Sequence, residues 1–349
     1  MKTDFFVTGP DAFYNKDSYS HEAVIEELSK KDGPKEITYS YNTENKTYSV
    51  AKKIFATLFI PLLIYRIIHA IAGFICMPAR FIPKPSKNFY SSYSHSLDSK
   101  NLKLKRITIE TDGTKIDALI KGTPETFKTG RWTLFSIGNG EIYDHRVIDG
   151  SIDPLLQETN SNAIFFNYPG VGQSGLFPHR HASKKAYEAI LKFLEEEIKA
   201  TEIIGYGISI GGGIQAEAIA THEFKENIKY IFVKDRTFST LSQTATSLMG
   251  GYRLFGLLIH LFGWNIDTAS SSKKLKHPEI IIQVEGGDEI IKKEASLQQA
   301  LENLQNKTFI TLKRCYPFAY NNNHCRLFSS DEMATLTTKI NKCLSDASK

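Results

Sequence analysis

Cysteine is scarce in this chain of 349 residues: there are four, Cys76, Cys315, Cys325 and Cys343. No two of them form a CxxC pair, which argues against a structural zinc site. Four in so long a chain do not make a disulfide scaffold, and a reducing compartment is the expected setting. A dense basic block is missing as well. The 43 Lys and Arg and 38 Asp and Glu leave a net charge of +5 spread along the chain. No stripe or arm of the kind nucleic acid requires is present, so no nucleic-acid partner is expected. A mild positive charge is compatible with weak attraction to an anionic membrane surface. Met1 to Pro10 lacks the charged-then-apolar order of a secretory signal; synthesis in the cytosol without Sec export is the expectation. Metal-ligand spacing is also absent. His179 and His181 stand two apart in a polar loop and read as solvated, so neither a metal nor a cofactor is expected.

What is present is ordinary globular material, 41% hydrophobic and 23% charged. The length suits one large domain with an extension. Residues 1–50 are polar, with one short helix expected over Glu22–Lys30 and no chemistry. Residues 51–85 hold the most apolar stretch, IFATLFIPLLIYRIIHAIAGFICM at 54–77. Its length would span a bilayer. Arg66, His69 and Gly73 recur on one helical face, however, which suits an interfacial or protein-packed helix better, and Pro61 should kink it. A buried helix capping the core is the plainer alternative. Residues 86–101 read as a Ser- and Asn-rich linker.

From residue 102 onward the pattern changes. Lys105–Glu110 and Lys115–Lys121 flank Asp112-Gly113, a hairpin signal. Short apolar runs then follow at Thr133–Ile137, Ala163–Asn167, Ile203–Gly207, Tyr230–Val233, Ile280–Val284 and Phe309–Leu312. Helical stretches separate them, the clearest being Ser183–Lys199, with Ala186, Ile190, Phe193 and Leu194 on one face. A hairpin followed by strand–helix repeats implies an α/β fold, a mostly parallel central sheet with helices on both faces. Functional groups should gather at the C-terminal ends of its strands. A helical insertion is expected at about 239–277. Within it, Leu254, Leu257, Leu258, Leu261 and Phe262 form an apolar stripe. It reads either as a lid that opens at a lipid surface or, the expectation here, as the core side of an ordinary helix.

The chemistry centres on Gly207-Ile208-Ser209-Ile210-Gly211, a G-x-S-x-G pentapeptide between an apolar strand and a helix. A serine whose hydroxyl projects from a sheet edge needs a strained turn. Side chains two residues to either side would collide with its neighbours, and glycine removes them. His324, in a polar loop after the last strand, is the candidate base. Asp288, after Glu285-Gly286-Gly287 at a strand end, is the candidate orienting carboxylate. Asp235 is the alternative acid, although Arg236 beside it suggests a structural ion pair. Ile210, the residue after the nucleophile, should offer one oxyanion-binding N–H. Asn139, in the loop Ser136-Ile137-Gly138-Asn139-Gly140-Glu141, is the choice for the second.

Three motifs carry a resemblance: SIGNGE at 136–141, NYPGVGQSG at 167–175 and GYGISIGGG at 205–213. From about Ile107 onward the chain resembles α/β-hydrolases of the serine esterase and lipase type, in which triad residues follow the order Ser, Asp, His, as Ser209, Asp288 and His324 do here. The second motif is similar to the N/D-x-R-G-x-G-x-S signature of esterase-like members, with Pro169 in place of Arg. The first has Ile137 where His is common. With the upstream apolar stretch and DRTFS at 235–239, the whole resembles chlamydial CHLPS-type proteins and related effectors of intracellular bacterial pathogens. That resemblance implies delivery into a host cell and work on host lipids or acylated proteins. The leading expectation is a serine hydrolase of carboxylic esters, its substrate a small-molecule or lipid ester. A membrane-associated scaffold without turnover, and a thioesterase or peptidase using the same residues, stand as alternatives. Oligomeric state is not legible.

Overall fold

Asp112 and Gly113 both take positive φ, 49° and 75°, the conformation a two-residue hairpin turn demands. They join β2 (Lys103–Thr111) to β3 (Thr114–Gly122), paired antiparallel with Ile109 opposite Ile116. This computed structural model describes residues 59–83, 102–304, 307–315 and 322–346, the strand Ile37–Ser40, and positions 26 and 54. The helix expected over Glu22–Lys30, apart from Glu26, and the linker at 86–101 lie outside the described residues. Ile37–Ser40 is a strand, β1, that runs parallel to β2. Nothing in the polar N-terminal sequence distinguishes it as one.

The remaining strands are β4 (Arg131–Ser136), β5 (Asn162–Phe166), β6 (Glu202–Ile208), β7 (Lys229–Asp235), β8 (Glu279–Val284) and β9 (Lys307–Leu312). All six lie within one to two residues of the apolar runs that mark them in the sequence. The sheet has nine strands in the order β1-β2-β3-β5-β4-β6-β7-β8-β9, and from β5 to β9 every pairing is parallel. β5 flanks β4 on one side and β6 flanks it on the other. The winding therefore reverses at β4, and such a reversal opens a crevice at the strand C-terminal ends.

Two helix layers cover the sheet. α4 (Arg180–Glu196), α5 (Ile210–Ile219) and α8 (Thr268–Lys274) contact one another in sequence, while α3 (Asp153–Thr159) meets α10 (Ser330–Asp346). α2 (Tyr143–Asp149) lies between β4 and α3 in the chain, and α9 (Leu297–Leu301) follows β8. α4 begins three residues before the apolar periodicity, because His179 caps it by accepting from the His181 N–H at 3.2 Å. The core is aromatic: Trp132, Phe135, Phe165, Phe166 and Phe193 are fully buried. Phe135 and Phe165 stack at 4.7 Å across adjacent strands, an arrangement that adds about 1 kcal/mol to their area burial.

The apolar stretch forms α1 (Ile60–Cys76). Pro61 lies in its first turn, where a missing N–H costs nothing, so it does not kink the helix. The helix is 17 residues long, and no helix among the described residues is long and apolar enough to cross a membrane. Its inward face is His69, Ala72, Gly73 and Cys76; Arg66, expected to share that face, is exposed. Gly73 is required there, since a Cβ would run into the Pro178 carbonyl and the Trp264 ring. His69 Nδ1–H donates to the Phe262 carbonyl at 2.7 Å, and Trp264 Nε1–H donates to the His69 carbonyl at 2.9 Å. The His179 ring lies 4.0 Å from the His69 ring, so His179 is not the free loop side chain its setting implied.

The insertion corrects a second expectation. Gly250 and Gly251, at φ 67° and 88°, split it into α6 (Leu241–Leu248) and α7 (Arg253–Leu261). The buried contact of α7 is Gly256, seated against Ser242 and Thr246. Leu254, Leu257 and Leu261 are 52–60% exposed, so this part of the stripe faces outward and is not core.

Burial holds the His69 imidazole below its usual pKa; the hydrogen bond to Phe262 opposes this and Arg180 adds to it. Its Nε2 has no hydrogen-bond partner among the described residues, so the Phe262 bond only partly offsets the cost of charging the buried ring. The unfolded chain therefore takes up a proton near the usual histidine value while the folded chain does not. Stability from this site is complete above that value and is lost as the pH falls through it. We predict that His69→Leu lowers Tm at about pH 7.5, by the equivalent of about 1 kcal/mol for the lost hydrogen bond, and that the gap to wild type narrows toward about pH 5.5. An equal gap at both pH values would contradict a neutral buried ring.

Candidate active site

β6 ends at Ile208, opposite Asp235 of β7, and the chain reverses through Ser209 into α5. Ser209 has φ 53° and ψ −120°, a strained backbone that costs about 1–3 kcal/mol and must be held from outside. Its N–H donates to the Asp235 carbonyl at 2.9 Å, and its own carbonyl accepts from Thr237 Oγ1 at 3.1 Å. A Cβ at Gly207 would come within 2.5 Å of Gly212 Cα, and one at Gly211 would meet the Ser136 and Ile137 carbonyls at the end of β4. Both glycines are thus required by close backbone approach.

His324 Nε2 lies 3.0 Å from Ser209 Oγ, and His324 Nδ1 lies 3.0 Å from Asp288 Oδ2. The other carboxylate oxygen of Asp288 accepts from the Ile290 and Ile291 N–H groups at 2.9 and 2.6 Å. That turn needs Gly287 at φ 83°, where a side chain would strike the backbone of Lys293. Asp288 is 1% exposed, Ser209 7% and His324 9%, so the three groups form a hydrogen-bonded chain largely shielded from bulk water. With one lone pair of Asp288 orienting Nδ1–H, Nε2 is left to accept the serine proton, the arrangement general-base activation of a hydroxyl requires.

The alternative acid is engaged elsewhere. Asp235 accepts from Arg236 Nε at 2.7 Å and Nη2 at 2.8 Å, and from the Tyr206 hydroxyl at 3.2 Å. Arg236 is 4% exposed, with φ 46°. It also donates through Nη1 to the Asn323 and Arg326 carbonyls at 3.2 and 2.7 Å. The ion pair therefore braces the loop that carries His324. Asn323 adds to the brace. It is fully buried, exchanges two hydrogen bonds with the Cys315 backbone at 2.8 and 3.0 Å, and donates to Glu289 at 2.9 Å. The sequence marks Arg236 only as a neighbour of Asp235, and no local signal separates Asn323 from Asn321 and Asn322. Their role depends on a partner element far away in the chain.

On the opposite side of Ser209, the Ile210 N–H lies in the first turn of α5, among the donors a helix leaves without an internal partner. The Asn139 loop follows β4, which neighbours β6. Tyr168 holds it through a 2.8 Å bond to the Ile137 carbonyl, and Ser136 Oγ donates to the Gly211 carbonyl at 3.0 Å. Glu141 and Arg146 close it with a bidentate ion pair. The Asn139 carbonyl accepts from the Ala79 N–H at 2.9 Å. A cavity of about 480 Å³ lies elsewhere, lined by Tyr65, His69, His179 and Arg180 among others, with none of Ser209, Asp288 or His324 on its wall.

A sheet that reverses at β4, a strained serine turn after its neighbour β6, and His and Asp on the loops after β9 and β8 define an α/β-hydrolase fold. The solved structures agree on the fold. An α/β-hydrolase from Vibrio vulnificus matches with a TM-score of 0.57 and 11% identity, covering 90% of this chain and 98% of its own. The esterase Pf2001 of Pyrococcus furiosus matches with a TM-score of 0.52 and 15% identity, covering 72% and 92%. No curated protein matches the sequence. Residues 38–345 match the Chlamydia CHLPS protein family (DUF818), and the chain belongs to that family.

The two aspartates should separate cleanly by stability. Asp235→Asn leaves the buried Arg236 guanidinium without its counter-charge and is predicted to destabilise the fold by about 3–5 kcal/mol in denaturant unfolding. Asp288→Asn keeps an acceptor for the Ile290 and Ile291 N–H groups and should cost less than about 1.5 kcal/mol. The reverse ranking would assign the structural role to Asp288.

Proposed function

We propose that this protein is a serine hydrolase acting on carboxylic esters. The observation that carries the reading is the hydrogen-bonded chain from Ser209 Oγ through His324 to Asp288, with both contacts at 3.0 Å, on a serine whose backbone is strained as a nucleophile elbow requires.

Ser209 Oγ attacks the ester carbonyl carbon as its proton passes to His324 Nε2. The carbonyl oxygen becomes an oxyanion, held by the N–H groups of Ile210 and Asn139. His324, now an imidazolium, is stabilised and kept in register by Asp288. It gives its proton to the departing alcohol oxygen as the carbon–oxygen bond breaks, leaving an acyl group on Ser209. Water then attacks the acyl carbon as it loses a proton to the same nitrogen; the bond to Ser209 Oγ breaks, His324 returns the proton to Oγ, and the carboxylic acid leaves. Peptide or thioester cleavage would use the same groups, and fold alone does not choose among acyl substrates.

Fluorophosphonate labelling of wild type beside Ser209→Ala tests the nucleophile: wild type should label and the variant should not. Asp288→Asn should keep its fold and lower kcat on p-nitrophenyl esters by about 10⁴-fold, because Nδ1 then faces an amide donor and the wrong tautomer is favoured. A folded wild type that neither labels nor cleaves p-nitrophenyl esters, acyl thioesters or peptide anilides would leave a binding scaffold as the correct description.

A further inference from the structure

α1 is turned inside out relative to an ordinary surface helix. Its buried side is small or polar, His69, Ala72, Gly73 and Cys76. Its outward side carries the bulky aliphatics: Ile60, Ile64, Ile67, Ile71 and Ile75 are 51–73% exposed. Spacings of four, three, four and four put them on a single stripe. The apolar surface continues past the helix. Phe81 is 71% exposed and lies 6.1 Å from Phe74, and Phe177, 57% exposed, meets Phe74 edge-on at 5.9 Å. At the other end, Tyr65 touches Gly263 at the foot of α7, which adds Leu254, Leu257 and Leu261. A water-exposed apolar surface of this extent calls for a partner.

Charge narrows the choice of partner. From residue 45 to residue 97, and again from 236 to 266, the sequence has no Asp or Glu. The charged groups within the face are cations. Arg66 and Arg253 are exposed, and Arg80 lies 5.0 Å from the Phe74 and Phe177 rings, over which its guanidinium stacks. A second copy of the same face would set cations against cations with no carboxylate between them. An anionic bilayer instead offers hydrocarbon to the aliphatics and phosphate or carboxylate to the arginines. Crossing the bilayer is ruled out for α1 as it stands, because its other face is bound to Phe262 and Trp264 and its 17 residues reach only about 25 Å.

We propose that the outer face of α1, continued by Phe81, Phe177 and α7, docks this protein flat on an anionic lipid surface. The face is tied to the candidate active site. Two residues before Phe81, the Ala79 N–H binds the Asn139 carbonyl at 2.9 Å, and Arg80 Nη1 donates to the Gly170 carbonyl at 3.1 Å. Docking there sets the edge of the sheet that carries Ser209 beside the lipid and makes lipid esters the substrate class. That last step rests on the proposed hydrolase function; the docking does not.

The test uses the full chain as Ser209→Ala, which removes turnover from the readout, in flotation with vesicles of phosphatidylcholine alone or with about 30 mol% phosphatidylserine. The protein should float with the anionic vesicles, bind the neutral ones less, and lose binding as salt rises. Adding Ile67→Glu and Ile71→Glu, at positions already 52% and 54% exposed, should leave Tm unchanged and weaken vesicle binding by ~10-fold or more. Arg66→Gln should weaken binding to anionic vesicles only. Folded protein that ignores both vesicles, or a double glutamate variant that floats as well as its parent, overturns the proposal. So does a shift from dimer to monomer on introducing the glutamates, since a second copy would then cover the face. Flotation without fluorophosphonate labelling in wild type would sink the hydrolase reading and leave the docking intact.

Discussion

Between β6 and α5 the chain must reverse in a space only glycine leaves open at positions 207 and 211. The strain this stores at Ser209 is held by one backbone and one side-chain anchor, the Asp235 carbonyl and the Thr237 hydroxyl. Both come from β7 and the residues just after it. The contact of Gly211 with the end of β4 brings the Asn139 loop alongside, so Ser209 and the candidate oxyanion donors are set by one close approach.

Around that turn the molecule separates chemistry from bracing. Asp288 takes one bond from His324 and two from its own turn. Asp235, adjacent in the sheet edge, is consumed by Arg236, whose third nitrogen reaches the His324 loop. A buried guanidinium without a carboxylate would be costly, and a carboxylate shared between Arg236 and His324 would orient neither well. Two aspartates at neighbouring strand ends, each with its own cation or ring, resolve the conflict.

The N-terminal helix joins the same edge of the sheet by a different route. It is fastened by hydrogen bonds and small residues, not by its large aliphatics, and those side chains are left facing out. The helix therefore contributes little apolar burial to the fold relative to its composition. The turn that follows it still bonds the Asn139 loop through Ala79, which ties the helix to the edge that carries the candidate site.

Much of this was legible beforehand. Short apolar runs locate β4 to β8 because a strand buried on both faces admits little else, the half-buried edge strand β9 shows a weaker run, and Asp112-Gly113 marks the hairpin through its backbone conformation. The elbow is legible for the same reason: sterics at a tight turn constrain the residue types within five positions. Ser209, His324 and Asp288 could be nominated from their places at strand ends. The tight turn before Asp288 and the Arg236 beside Asp235 already favoured Asp288 in the sequence; the 3.0 Å contact with His324 is what the third dimension adds. The third dimension alone decided β1, Arg236 and Asn323, whose roles depend on partners far along the chain, and the outward turn of α1 and α7. Periodicity shows that a helix has an apolar stripe; which way the stripe points is decided by what else is there to pack against it.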